Sequence, residues 1–196
     1  MTLPHVDFHF DYASPWSYLA DATLPRHFAP DQVRYLPVYL RGFESFMRGV
    51  PYTPAKMAYL LKDLVRSAEH AGVPVKMPPV FPLNGLYALR GALAAQRDGG
   101  FAAYHAAVFH AAWRDGRDVS TRETVDALAR EIGLPAVADA LDDPWVKETL
   151  RTNTERAVAR GAFGVPSFFV GEDLYWGHDR MHLAGAAAKR PGVVGA

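Results

Sequence analysis

Strand-like patterns lie at the two ends of this chain, with helical periodicity between them, so any sheet must be assembled from segments remote in sequence. At the front, Val6 to Phe10 alternates in the manner of a buried or half-buried strand. Ser14-Pro15 then opens a helix through Leu19 and Ala22, with proline in the first turn where its missing N–H costs nothing, and Pro25 kinks or ends it. Val33 to Leu40 reads as a second strand, and a strand, helix, strand unit of about thirty residues predicts a parallel pair with a right-handed crossover. At the back, Ser167-Phe168-Phe169-Val170 and Leu174-Tyr175-Trp176 flank Gly171-Glu172-Asp173, the pattern of a tight hairpin. Asp179 to Lys189 reads as a closing helix, and Pro191 to Ala196 as a tail.

Between these ends, Met57, Leu60, Leu61, Leu64, Val65 and Ala68 fall at helical spacing before Gly72, a C-terminal cap. Val73 to Pro82 is a proline-rich extended connector, and Asn84 can cap a helix that runs to Gly99-Gly100. Phe101 to Trp113 is a further helix; Ser120-Thr121-Arg122-Glu123 has capping-box spacing and opens another through Ile132, stopped by Gly133-Leu134-Pro135; Pro144 to Arg160 is a longer, charged one. The chain therefore reads as α/β, with 1–42 and 156–196 forming one discontinuous domain and 43–155 an inserted helical one.

Four short stretches can carry chemistry. Ser14 stands where a strand gives way to a helix, whose N-terminus offers unpaired N–H groups and partial positive charge; its hydroxyl can cap the helix or hydrogen-bond a thiolate or oxyanion. Gly164-Val165-Pro166-Ser167 precedes a strand, where proline is either part of an ordinary turn or cis, the latter turning the Val165 backbone toward an extended ligand. In Trp176-Gly177-His178-Asp179-Arg180 a glycine turn leads into a helix, and Asp179 can cap it or bind a ligand ammonium. Lys56 lies in the first turn of a helix, where a cation calls for an anionic partner unless solvent suffices.

Composition narrows the classes. The 196 residues contain no cysteine, which excludes a disulfide framework, a protein thiolate nucleophile, a Cys-type zinc site and thiol–disulfide exchange; any sulfur nucleophile must arrive with a ligand. The 21 basic and 21 acidic residues cancel without long runs of either sign, so nothing calls for nucleic acid or an anionic membrane. No basic leader precedes an apolar run and no window approaches a membrane span, so the expectation is a soluble cytoplasmic protein. His178 and His182 are spaced for a shared metal, but no third ligand lies near, and no metal is expected.

Ser-Pro-Trp-x-Tyr-Leu after a strand, a helical insert, then Gly-Val-Pro-Ser and a hairpin ending in Gly-x-Asp-Arg resembles the thioredoxin-like family of DsbA-type proteins. Within it the chain is most similar to 2-hydroxychromene-2-carboxylate isomerases and the related kappa-class glutathione transferases, from Asp7 to about Ala188. The resemblance implies a thioredoxin-like fold with a large all-helical insertion and bound glutathione or another low-molecular-weight thiol. Ser14 would replace the redox cysteine and hydrogen-bond the glutathione sulfur. Lys56, in Lys-x-x-Tyr-Leu, would meet the glycine carboxylate; Val165, before a cis Pro166, would pair by backbone with the cysteinyl unit; His178 and Asp179 would hold the γ-glutamyl end. Asn84 matches a segment near the substrate pocket, whose apolar part Tyr12, Trp16, Phe43, Phe46 and Tyr87 can line, each also suited to the core.

Three positions depart from the family pattern: Gly49-Val50-Pro51 lacks the asparagine of a Gly-Asn-x-Pro turn, His178 replaces a more usual Asn or Ser, and Asn84 is followed by Gly85 instead of serine. The implied activity is cis/trans isomerisation of an aromatic unsaturated 2-oxo acid with glutathione as an unconsumed cofactor. A kappa-type transferase and a non-catalytic thiol-binding relative are the alternatives, and the resemblance is compatible with a homodimer.

Overall fold

A computed structural model describes residues 5–189 and shows a four-stranded sheet surrounded by helices. The strands β1 (Val6–Phe10), β2 (Val33–Pro37), β3 (Ser167–Val170) and β4 (Asp173–Trp176) lie in the order β2-β1-β3-β4. As the sequence predicts, β1 and β2 are parallel, and β3 and β4 form an antiparallel hairpin; β3 pairs antiparallel with β1, placing Phe8 opposite Phe168 and His9 opposite Ser167. The front and back of the chain thus share one sheet.

Every residue of β1 is buried, as befits a central strand covered on both faces. Alternation along the strands sorts the interior into two clusters. Phe8, Phe10 and Phe168 face a large core shared with the helices, where Phe8 and Phe168 stack at 5.0 Å between ring centroids; Phe169 faces a smaller one with Val38, Phe43 and Ala157. Burying each such aromatic contributes about 1.5–3 kcal/mol before the cost of ordering it.

The helices are α1 (Pro15–Thr23), α2 (Pro54–Ala71), α3 (Leu86–Asp98), α4 (Phe101–Phe109), α5 (Arg122–Glu131), α6 (Pro135–Asp139), α7 (Pro144–Ala159) and α8 (Met181–Ala188). Their ends follow local chemistry. Thr53 caps α2 by accepting from Lys56 N–H, and Gly72 closes it in the left-handed conformation that glycine adopts at no steric cost. Asp143 caps α7.

Four boundaries differ from the sequence reading. β2 stops at Pro37 instead of continuing to Leu40, because Leu40 begins a helical turn whose N–H is taken by the Asp11 carboxylate at 2.8 Å. The cap of α5 is Thr121, accepting from Thr124 N–H; the Ser120 hydroxyl is instead engaged by Asn84 N–H at 2.9 Å. Pro135 does not merely stop a helix but starts α6, its fixed φ suiting a first helical position. The segment from His110 to Arg114 continues α4 as a π-helical turn. The expected Pro191–Ala196 tail lies outside the described residues.

Candidate active site

The end of β1 is folded around one buried carboxylate. Asp11 Oδ1 accepts from Ala13 N–H at 2.9 Å, Oδ2 accepts from Leu40 N–H at 2.8 Å, and the Asp11 carbonyl accepts from Ser14 N–H at 3.0 Å. Burial pushes the Asp11 carboxyl up to about 6, against the opposing pull of the two N–H groups and of Arg41. This clamp sets the turn that delivers Ser14 to the start of α1.

Ser14 has extended backbone angles and caps α1: its Oγ accepts from Ser17 N–H at 3.2 Å, and Pro15 occupies the first helical position. Capping uses an oxygen lone pair, and a hydroxyl retains one hydrogen to donate. The same side chain can therefore close the helix and hydrogen-bond an anion beside it, with the helix N-terminus adding partial positive charge.

Ser14 lines a cavity whose wall is otherwise apolar or aromatic, including Trp16, Phe46, Tyr52, Leu60, Leu64 and Phe81. Val165 belongs to the same wall, and the Val165–Pro166 bond is cis. Among the described residues neither the N–H nor the C=O of Val165 has a backbone partner, so an extended ligand in the cavity would find both free.

The other expected ligand-binding residues, Lys56, His178 and Asp179, do not line this cavity. Lys56 Nζ lies 4.5 Å from the centre of the Tyr52 ring, which is part of the wall. His178 stacks on Trp16 at 4.9 Å with 17° between the rings; burial holds its pKa below the usual histidine value despite Asp179 and Asp63. Asp179 is exposed and paired with Arg180 at 2.6 Å. Both His178 and Asp179 line a second cavity, with His182, that shares no residue with the first. Among the described residues no three or more His, Asp or Glu side chains gather as a metal site.

Four expectations for the pocket are corrected. Tyr12 does not reach it: the ring is fully buried, and its hydroxyl bonds His105 Nδ1 at 2.9 Å while His105 Nε2 meets Asp21 at 2.9 Å. Phe43 is buried in the smaller core, leaving Phe46 at the cavity. Asn84 is turned to local structure, its Oδ1 accepting from Tyr39 Oη at 3.1 Å and Leu86 N–H at 3.2 Å. Tyr87 is absent from the lining and instead carries the Arg90 guanidinium over its ring.

Asp11 is the residue that sequence reasoning missed. The available signal was an acid directly after an otherwise buried strand, three residues before a helix cap. Gly85 supports the assignment: a Cβ there would lie 1.9 Å from Asp11 Oδ1, so the glycine that departs from the family pattern is what leaves room for the carboxylate. Val50, another departure, lines the cavity with its apolar side chain.

A profile of the DsbA-like thioredoxin domain matches residues 5–187. The chain belongs to the DsbA-like thioredoxin family. Among curated relatives, this DsbA-like protein is 32% identical to a 2-hydroxychromene-2-carboxylate isomerase of Pseudomonas sp. (strain C18), over 91% of its own length and 87% of the relative's. It is 26% identical to glutathione S-transferase kappa 1 of Caenorhabditis elegans, over 96% of its length and 92% of the transferase. Among solved structures, a 2-hydroxychromene-2-carboxylate isomerase superposes with a TM-score of 0.78 at 29% identity, covering 93% of each chain. The cytosolic disulfide reductase DsbM from Pseudomonas aeruginosa with GSH shares the fold, with a TM-score of 0.64 at 20% identity over 94% of this chain and 95% of that one. No helix among the described residues is long and apolar enough to cross a membrane.

Proposed function

We propose that this enzyme is a glutathione-dependent cis/trans isomerase of 2-hydroxychromene-2-carboxylate type, acting on an aromatic unsaturated 2-oxo acid. The observation that carries the reading is the placement of the Ser14 hydroxyl, already the N-cap of α1, in the wall of an apolar cavity that also contains the unpaired backbone of Val165. The wall itself suits the middle of glutathione, with a hydroxyl and a helix N-terminus for its sulfur and a free peptide edge for its cysteinyl unit; Lys56, beside Tyr52, and His178 with Asp179, in the second cavity, are the proposed partners of its two ends.

Bound glutathione would supply a thiolate that adds to the conjugated double bond, leaves it a rotatable single bond, and departs after rotation, so that the thiol is not consumed. The chain's part is to make that thiolate available. A free thiol titrates near ~8.5, and a hydroxyl donor with a helix N-terminus favours the anion, drawing its pKa toward neutrality. Trp16, Phe46, Tyr52 and Phe81 supply the apolar wall for an aromatic substrate and exclude water from the reacting bond. Asp11 holds Ser14 in place through the turn.

The test follows interconversion of the cis and trans isomers of a benzylidenepyruvate with and without glutathione. Activity should require the thiol, and Ser14→Ala should lower kcat/KM by about 10²–10³, the usual effect of deleting one preorganised donor to a reacting anion. Unchanged activity in Ser14→Ala would sink the assigned role. The kappa-class relatives keep a second reading open, in which the product is a stable glutathione conjugate; product analysis separates the two because only a transferase depletes glutathione.

A further inference from the structure

The proposed reaction leaves one charge without a place. A 2-oxo acid carries a carboxylate next to the carbonyl that accepts electrons from the double bond, and the wall around Ser14 offers it no cation. Lys56 stands over Tyr52 at the start of α2, and Arg180 is occupied by Asp179.

The missing cation lies next door. Ala13, Leu40, Phe46, Val50 and Pro82 are shared between the Ser14 cavity and a smaller chamber, completed by Asp11, Tyr39, Arg41 and the glycines Gly49 and Gly85. Arg41 belongs to the helical turn Leu40–Gly42, is exposed, and has no ion pair or hydrogen bond from its guanidinium among the described residues. Several other surface arginines are committed, Arg97 to Asp98 and Asp143, Arg130 to Asp126 and Asp139, Arg151 to Glu148 and Glu155; Arg48, Arg66 and Arg156 are as unengaged as Arg41 among the described residues but line neither chamber. The acid of the chamber, Asp11, has both oxygens taken by backbone N–H groups, so Arg41 keeps its donors for something else.

Resting on the isomerase reading, we propose that Arg41 anchors the substrate carboxylate in this side chamber and so determines the preference for 2-oxo acids over neutral enones. The guanidinium offers a planar fork matched to a carboxylate. Without it, an arriving carboxylate would meet Asp11 alone, leaving repulsion instead of neutrality, which sharpens the discrimination that Arg41 provides. The aromatic end would then extend along the apolar wall, with the reactive double bond between the two chambers near Ser14.

The experiment compares wild type, Arg41→Gln and Arg41→Lys in two readouts. The first is calorimetric binding of 4-phenyl-2-oxobutanoate, a saturated acid that cannot isomerise, against the neutral 4-phenyl-2-butanone. Arg41→Gln should weaken the acid by about 10- to 100-fold, as expected for loss of a charged hydrogen-bonded pair, and leave the ketone unchanged; Arg41→Lys should recover part of the loss. The second is isomerisation of benzylidenepyruvate, where KM should rise in Arg41→Gln while KM for glutathione stays constant. A less than threefold change for the acid, an equal change for acid and ketone, or no binding of the acid to wild type overturns the role of Arg41. Arg41-dependent binding of the acid without any thiol-dependent isomerisation would uphold the anchor and overturn the isomerase reading instead.

Discussion

Asp7 and Asp11 stand four residues apart at opposite ends of the central strand, and the chain treats them in opposite ways. Asp7 is gripped by two guanidiniums, Arg34 at 2.7 Å and Arg160 at 2.8 Å; burial alone would raise its pKa, but these hydrogen bonds outweigh it and hold the carboxyl below the usual range. Asp11 is met by no guanidinium at hydrogen-bond distance, only by two backbone N–H groups, and burial prevails, taking it to about 6. The first carboxylate is neutralised and ties α7 and β2 to the sheet. The second shapes a turn and leaves the adjoining cavity wall uncharged save for a helix end, which is where an incoming anion can be stabilised. One strand thus carries a structural end and a chemical end.

The largest effect should come from Asp11→Ala. Two partly buried N–H groups would lose their acceptors, and each orphaned group costs about 1–3 kcal/mol when shielded from water, so a loss of roughly 2–6 kcal/mol is the upper range expected in urea unfolding. Activity should fall alongside, because the Ser14 turn loses its brace. If Asp7→Ala lowers kcat/KM as much as Asp11→Ala does, the division into a structural and a chemical end is wrong. A milder probe of the same clamp is Gly85→Ala, whose added methyl group would press on the Asp11 carboxylate; overpacking of this kind costs about 1–3 kcal/mol. Normal stability and kcat in that variant would show that the turn yields easily.

Much of this arrangement was legible in the residues. The strands at both chain ends, the hairpin after Ser167, helix α2 between Thr53 and Gly72, and Ser14 as a cap all rest on local signals: periodicity, capping side chains and turn glycines. What was not legible depends on partners distant in sequence. Nothing near Tyr12 announces that His105, 93 residues away, will take its hydroxyl into the core. Nothing near Asp11 announces Leu40 or Gly85, and the early end of β2 follows from that same missed contact. Asn84, expected as the cap of the helix, stands one residue before the actual N-cap Gly85, and its side chain is spent on Leu86 and Tyr39 instead of the pocket. Aromatic residues carry no sequence mark that separates a cavity wall from a core, which is why Phe43 and Phe46 could be told apart only in the fold.

At the structural end the expected effect is smaller. Asp7→Asn removes the charge from a bridge whose Arg34 side chain is 63% exposed, so solvent screens much of it, and about 1–2 kcal/mol of stability should be lost. Isomerase activity should stay within about twofold of wild type, as Ser14, the proposed catalytic group, lies beyond the other end of the strand. A tenfold fall in kcat/KM with unchanged KM for glutathione would show that the two ends communicate.

The smallest effect is a cancellation between His9 and Asp11. His9 is buried, and desolvation, helped by Arg160 and Arg34 and opposed by Asp7, lowers its pKa from 6.5 to about 4. Between those values the unfolded chain binds a proton that the folded one refuses, so this group makes stability rise with pH. Asp11 works in reverse. Its folded pKa is raised from 3.8 to about 6, so across nearly the same window the folded chain keeps a proton that the unfolded one has released, and stability falls as pH rises. Each slope is at most about 1.4 kcal/mol per pH unit, and together they should leave unfolding free energy nearly flat between about pH 4 and 6. Either half can be exposed. In Asp11→Asn the His9 branch remains and stability should climb with pH; in His9→Leu the Asp11 branch remains and stability should decline. Because ionisation of Asp11 is the half that belongs to the chemical end, only the first variant should also alter the pH profile of kcat/KM near 6. The same change of profile in both variants would place His9 within the catalytic end and erase the distinction between the two ends of the strand.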